Sequence, residues 1–220
     1  MHFNFGPTLD NLGPLLAALW TTLSLFVLGF LGSIVPAAVI AVLRVHGPRT
    51  LRAALVGLTY VVRAVPAVLA VIVVFYSLPF VGITFSPFNS VLFTLILVQT
   101  VYVSEVFRSG LEAIDVGQIE AGHSLGLTTW QSLRRIIFPQ AAIVAAPAFI
   151  SSAIVLMHNT TIASGVGLYD LLGRAQNIAV TTLDGTSILL MAPVYVAILL
   201  PLVRLARRAE DRLARKSGRA

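Results

Sequence analysis

The sequence predicts an all-α integral membrane protein with about five transmembrane helices. Three observations carry this. The 220 residues are 57% hydrophobic and only 11% charged, with a mean hydropathy of +0.92, whereas soluble domains carry about 25% charged residues. The apolar residues gather into five runs, each near or above the roughly 20 residues that cross a bilayer as a helix. Lys and Arg then alternate between the two sides of those runs.

The first run spans residues 15–43. It exceeds the minimum length, and so is tilted or begins outside the hydrocarbon core. Pro36 is placed to kink it, because proline removes a helical hydrogen bond and crowds the preceding turn. Residues 1–14 contain no Lys or Arg, so the run lacks the basic start of a cleaved signal peptide. The other runs are 53–79, 89–107, about 137–157 and about 187–205. All are read as one transmembrane domain over 1–220, with an inside loop at 108–136 and a basic tail at 206–220.

Thirteen of the 15 Lys and Arg fall on one side: Arg44, Arg49 and Arg52, then Arg108, Arg134 and Arg135, then seven from Arg204 to Arg219. Arg174 alone lies on the other side, and Arg63 lies within the second run. The asymmetry predicts an outside N-terminus and a cytoplasmic C-terminus. It also disposes of nucleic acid as a partner, since the charges are anchors spread over three loops. The tail reads equally as an amphipathic helix on lipid headgroups or as a solvated end. With no cysteine there is no disulfide and no thiol chemistry.

The inside loop is patterned. Gly117 is a plausible stop for the helix continuing from the third run. IEAGHSLG then forms a short helix broken at Gly126. Thr128 or Thr129 caps a second helix, TWQSLRRIIF, which runs into Pro139. Trp130, Leu133 and Ile137 are expected on one side of it. Small residues at 121, 122 and 126 would let another backbone approach. Two readings fit: a docking surface facing the cytosol, or a hairpin folded back on the chain's own spans.

The spacing Glu120-Ala121, Gly126, Ile136, Pro139 resembles the EAA motif in permease subunits of ATP-binding cassette importers. Gly122 stands where a second alanine is usual, and Phe138 where leucine is usual. Two further stretches resemble the polar amino acid uptake permeases. One is Arg63 and Pro66 of an Arg-Gly-Thr-Pro segment. The other is Tyr102, Glu105, Arg108 and Gly110 of an Ala-Tyr-x-x-Glu-x-x-Arg-Gly-Gly stretch. The resemblance implies a type I importer permease fold in a bacterial cytoplasmic membrane. It implies coupling to an ATPase through Glu120, Ala121, Gly122, Leu125, Gly126, Ile136 and Pro139. The implied partners are a cytosolic ATPase dimer, a second permease subunit, identical or not, and an extracytoplasmic solute-binding protein, besides membrane lipids. No Walker A sequence occurs, so ATP and Mg are expected on the partner ATPase. No cofactor is expected on this chain.

Few ionisable residues fall inside the runs, and such residues are functional candidates by default. Arg63 is read either as a path residue or as a snorkelling anchor. Glu105 is expected to pair with Arg63 or with Arg108, which is three residues on. After the fourth run, His158, Asn159, Thr160, Thr161 and Ser164 are too polar for a lipid-facing span, and Gly165 and Gly167 break it. Irregular backbone at that depth must be buried or line a cavity, which places the solute path here, with Arg63, Tyr102 and Glu105 as further candidates. The family's Lys-Asp-Thr-Ser-Leu stretch is replaced by His158-Asn159-Thr160-Thr161-Ile162. Beyond it a short outer helix is expected, with Leu168, Leu171 and Leu172 inward and Asp170 paired to Arg174.

An intramembrane enzyme would need paired carboxylates or a metal site, and no HExxH or such pair occurs within a run. The alternative to a permease subunit is an ATP-independent channel or secondary transporter. Such a protein would have no use for a small-residue docking helix.

Overall fold

The structure, a computed structural model, describes residues 4–216. His2 and Arg219 lie outside the described residues, as do 1, 3, 217, 218 and 220. The described residues form helices joined by short turns and no strands. Four helices are long and apolar enough to cross a membrane, and a bent pair supplies a fifth segment.

A five-residue helix, α1 (Gly6–Asp10), leads into α2 (Leu12–His46), which keeps its helical course past Pro36. The second run is not a straight span. α3 (Arg49–Ala64) stops at Val65, whose extended backbone (ψ 124°) is what a residue before proline prefers. Pro66 then caps α4 (Ala67–Ile72). That helix loosens into a π-helical stretch (Val73–Ser77) and a 3-10 turn (Leu78–Val81). The two arms meet at 97°.

α5 (Pro87–Glu112) is the third span, capped by the Ser86 hydroxyl, which accepts from the Asn89 N–H at 3.2 Å. It ends at Glu112, and Gly117 is not its stop. Gly117 lies in the first turn of α6 (Val116–Ser124), where the Asp115 carboxylate accepts its N–H at 2.7 Å. An acidic side chain offering an N-cap here starts a helix sooner than a glycine ends one. α7 (Thr129–Ser132), a π-helical turn (Leu133–Ile137) and α8 (Phe138–Asn159) run on as one rod. The wide turn accommodates Pro139, which has no N–H for the Arg135 carbonyl. A 3-10 helix (Thr160–Val166) follows, ended by Gly167 at φ +72°. Last come α9 (Leu171–Thr182) and α10 (Thr186–Lys216). Residues 206–216 of the basic tail are thus the end of α10, which spans 31 residues. At 1.5 Å per residue it is about 46 Å long and overshoots a ~30 Å hydrocarbon core.

In lipid, close approach and interhelical hydrogen bonds do what hydrophobicity does in water. α5 and α8 touch at Gly110, where an added Cβ would sit 2.9 Å from the Ala145 Cβ. Higher up, buried Gln99 donates to the Ser152 carbonyl and hydroxyl, both at 3.2 Å. The main core joins Leu25 of α2, Val71 of α4, Val91 and Leu95 of α5, Leu156 of α8, and Ile162 and Val166 of the 3-10 helix. α10 is the least enclosed span.

Asp170 ties the remaining elements together. Its carboxylate caps α9, accepting the Gly173 N–H at 2.9 Å, and accepts the Tyr195 hydroxyl of α10 at 3.4 Å. Next to it the Leu171 N–H reaches the Thr22 hydroxyl of α2 at 2.9 Å. Asp170 therefore does not pair with Arg174. It is fully buried in extended cap geometry (ψ −178°), off the helix face on which an i, i+4 partner would lie. Arg174 covers the Tyr169 ring instead, 4.3 Å from its centroid. Leu171 is buried and Leu168 packs on the main core, as the sequence led us to expect.

Removing this cap has a defined cost. Asp170→Ala should destabilise the purified protein by about 1–2 kcal/mol, the range for losing a cap side chain. Asp170→Asn, which still caps, should lose less. Thermal unfolding in detergent distinguishes the two, and equal midpoints would show that the cap is not what Asp170 contributes.

Candidate functional site

Two places gather the residues singled out by sequence: a hairpin at one end of the spans and a pair of facing breaks within them.

The hairpin is α6, a turn at Leu125–Gly126, and α7 with its π-helical extension. Gly126 adopts φ +75°, a conformation open to glycine and strained for other residues. Thr128 and Gln131 form a reciprocal cap: the Gln131 N–H donates to the Thr128 hydroxyl at 3.3 Å, and the Thr128 N–H donates to Gln131 Oε1 at 2.9 Å. The structure divides the predicted coupling residues. Glu120, Ala121, Leu125, Gly126 and Pro139 are exposed. Gly122 is buried within the hairpin, where a Cβ would stand 2.8 Å from Ser132 Oγ and 3.2 Å from Ile136 Cδ1. Gly122 and Ile136 thus close the hairpin on itself. The small residue admits the chain's own second arm and leaves other faces for a partner.

The expected apolar stripe also divides. Ile137 is buried, and with Leu133 it packs against Ile114 and Ala141. Trp130 points away and is 62% exposed, and Leu125 at the turn is 80% exposed. The π-helical turn inserts a residue's worth of rotation, which the i, i+3, i+4 rule does not allow for. The hairpin is therefore both packed on its own spans and apolar at its tip.

At the same end, Arg44 of α2 donates to Glu105 of α5 at 2.5 Å. Arg108 pairs with Glu105, and also with Glu112 one turn on. The expected Glu105–Arg108 pair is present. Glu105–Arg63 is not: Arg63 lies over the Tyr102 ring, 5.3 Å from its centroid. Arg44 escaped the sequence reading because nothing local distinguishes it from the other anchors at span ends. Only the packing of α2 on α5 brings it to Glu105.

The second place is where the broken second run meets the 3-10 helix. Val68 Cγ1 lies 3.9 Å from where a Gly165 Cβ would be, and Val71 shares a core with Ile162 and Ala163. In a 3-10 helix side chains three apart eclipse, and so Thr161 and Ser164 rise in one column; His158, in the last turn of α8, stands three residues before them, and His158 and Ser164 are exposed. The Thr161 hydroxyl donates to the His158 carbonyl at 2.8 Å, and Ser164 to the Thr161 carbonyl at 3.0 Å. Thr160 is turned the other way. It is fully buried and donates to the Met157 carbonyl at 2.8 Å, so the two threonines do not act as a pair. Asn159 is half-buried. The arrangement can offer polar groups to a solute. Among the described residues no three His, Cys, Asp or Glu stand close enough to hold a metal.

Known proteins match this chain over nearly its whole length. The sequence pattern of the family described as "binding-protein-dependent transport system inner membrane component" matches residues 33–215. The chain is 28% identical to the nopaline transport system permease protein NocM of Agrobacterium fabrum, over 92% of this chain and 88% of that one. It is 36% identical to the probable glutamine ABC transporter permease protein GlnP of Bacillus subtilis, over 69% and 71%. Among solved structures, an amino acid ABC transporter chain superposes with a TM-score of 0.87 at 25% identity, covering 96% of this chain and all of that one. A chain of the MetNI methionine ABC transporter, at 20% identity and TM-score 0.70, shares the fold.

The charge network yields a graded expectation. Glu105→Ala leaves Arg44, which is 9% exposed, without its partner and should cost about 2–3 kcal/mol. Glu112→Ala breaks an exposed pair and should cost under about 1 kcal/mol. Chemical unfolding in detergent micelles checks the order, and equal losses would contradict it.

Proposed function

The chain belongs to the family of binding-protein-dependent transport system inner membrane components, and from that premise we propose that it is the multi-pass permease subunit of an ATP-binding cassette importer for an amino acid or amino-acid derivative. The N-terminus faces outside and the C-terminus the cytoplasm of a bacterial cytoplasmic membrane. The hairpin at Val116–Ile137 inserts into a separate ATPase, which binds ATP and Mg. An extracytoplasmic binding protein delivers the solute, and a second permease subunit completes the pathway.

One observation carries the coupling role. The hairpin is stiffened from within by Gly122, Ser132 and Ile136 and by the Thr128–Gln131 cap, yet it leaves Leu125 and Trp130 largely exposed. A stiff element with an apolar tip transmits force to whatever holds the tip. The helical run Thr129–Asn159, which includes a π-helical turn and Pro147, leads from the hairpin into the membrane. It ends beside His158 and the Thr161–Ser164 column. Closure of two ATPases then rocks α5 and α8, and access to the column passes from outside to inside. A self-sufficient channel has no use for such a tip. The relatives' names, an amino acid permease among them, support the solute class. The chain itself contributes a path and a lever, with no bond chemistry.

Leu125→Arg tests the coupling. The residue is exposed, so the permease should stay monodisperse. Co-purification of the neighbouring ATPase should fall at least about tenfold, as hot-spot truncations costing about 1.4 kcal/mol or more do. ATP-driven uptake of labelled amino acids into proteoliposomes should fall with it. Undiminished ATPase binding would refute the hairpin's role. Intact ATP-driven transport of a solute other than amino acids would refute only the solute class.

A further inference from the structure

A groove runs along the membrane-embedded surface between α2, α5 and α8, with a volume of about 440 Å³. Every lining side chain is apolar. Ala141, Ala142, Ala145 and Ala146 form the floor on α8, and Ala38 and Val42 line the α2 side. Phe107 and Phe149, stacked with centroids 5.6 Å apart, close the deep end. Phe138 stands at the other end, where α8 emerges. From Phe138 to Phe149 the helix rises about 16 Å, roughly half of a ~30 Å hydrocarbon core, and so the groove has the length of one leaflet.

Its mouth is basic. Arg134 and Arg135 precede Phe138 by one turn, and both are exposed. On α2, exposed His46 lies one turn beyond Val42. The acids nearby are committed elsewhere: Glu105 to Arg44 and Arg108, Glu112 to Arg108, and Asp115 to the Gly117 N–H. Glu120 is exposed on the hairpin. Among the described residues Arg134 and Arg135 make no ion pair. Two uncompensated guanidinium groups at the interface, above a leaflet-length apolar channel, match one kind of molecule.

We propose that this groove binds an anionic phospholipid of the leaflet on the hairpin side, with an acyl chain between α2 and α8 and its phosphate on Arg134 and Arg135. The site abuts the rod that joins the hairpin to the membrane, so its lipid would bear on the same moving part. The inference requires that the chain be membrane-embedded and does not depend on which solute it carries.

The test is native mass spectrometry of the purified full-length chain, with any subunits that copurify. It is titrated with phosphatidylglycerol or phosphatidylcholine of matched acyl chains. Wild type should bind phosphatidylglycerol more tightly. Arg134→Gln with Arg135→Gln should remove that preference, about fivefold per arginine and about twenty-fivefold together. Ala142→Phe, at an exposed position in the groove, should lose both lipids, and Val42→Phe from the facing wall should repeat the result if Ala142→Phe fails to fold. Equal binding of the two lipids by wild type would overturn the proposal. So would a preference that survives the double substitution, or filled-groove variants that bind as wild type. Loss of a subunit rather than of lipid from Ala142→Phe would also overturn it and make the groove a chain-to-chain interface.

Discussion

Inside a bilayer no water reaches an open amide or carbonyl, and every departure from helix must be sheltered by protein or by a wet cavity. The rest of this structure is arranged around that requirement. Helix is interrupted within the membrane at two places, Val65–Pro66 and Thr160–Gly167, and they are not scattered. The arm after the first break packs on the 3-10 helix of the second, with Val71, Ile162, Ala163 and Val166 in one core. The arm and the 3-10 helix thus cover one another, while Val65 and Pro66 at the first break stay exposed. His158 and the polar column of Thr161 and Ser164 stand on the side the shelter leaves open. The backbone constraint and the location of the candidate path are the same fact seen from two directions.

A similar economy governs the hairpin end. Glycine at 122 allows the two arms of the hairpin to close on Ser132 and Ile136. That closure turns Leu125 and Trp130 outward. The interior contact and the exposed tip are coupled through one residue, because a bulkier side chain at 122 would push the arms apart and reorient the tip. The wide turn before Pro139 serves the same continuity. By absorbing a residue that cannot donate, it keeps α7 and α8 helically continuous from the hairpin to the column. The Asp170 tie braces α2, α9 and α10 on the opposite side, so that the parts proposed to move and the part that holds still are separately fastened.

Chemically the membrane portion is sparse. The Arg44–Glu105–Arg108–Glu112 network compensates charge where α2 and α5 reach the interface. Arg63 rests on Tyr102. The task proposed for the chain is to change which side of the membrane a cavity faces, a change of packing in elements that each remain intact.

The sequence by itself determined the class and the hairpin's position. Those depend on local composition and spacing: long apolar runs, glycine at a left-handed turn, threonine with glutamine three residues on, and proline at a helix entrance. Tertiary structure alone decided the rest. Pro66 marks where the second run can break, but it does not reveal that the two arms meet at 97°, because that angle is set by how the second arm packs on the 3-10 helix. Spacing gave Asp170 an arginine partner, but its buried cap geometry and the Tyr195 hydroxyl claimed the carboxylate. Thr160 and Thr161 are chemically alike, and only the 3-10 twist set one in the core and the other in the column. Arg44 met Glu105 because α2 packs along α5, a contact between residues 61 apart in the chain. Local signals are set by neighbours a turn away, whereas these placements are set by which helix lies alongside, and no single stretch of sequence carries that information.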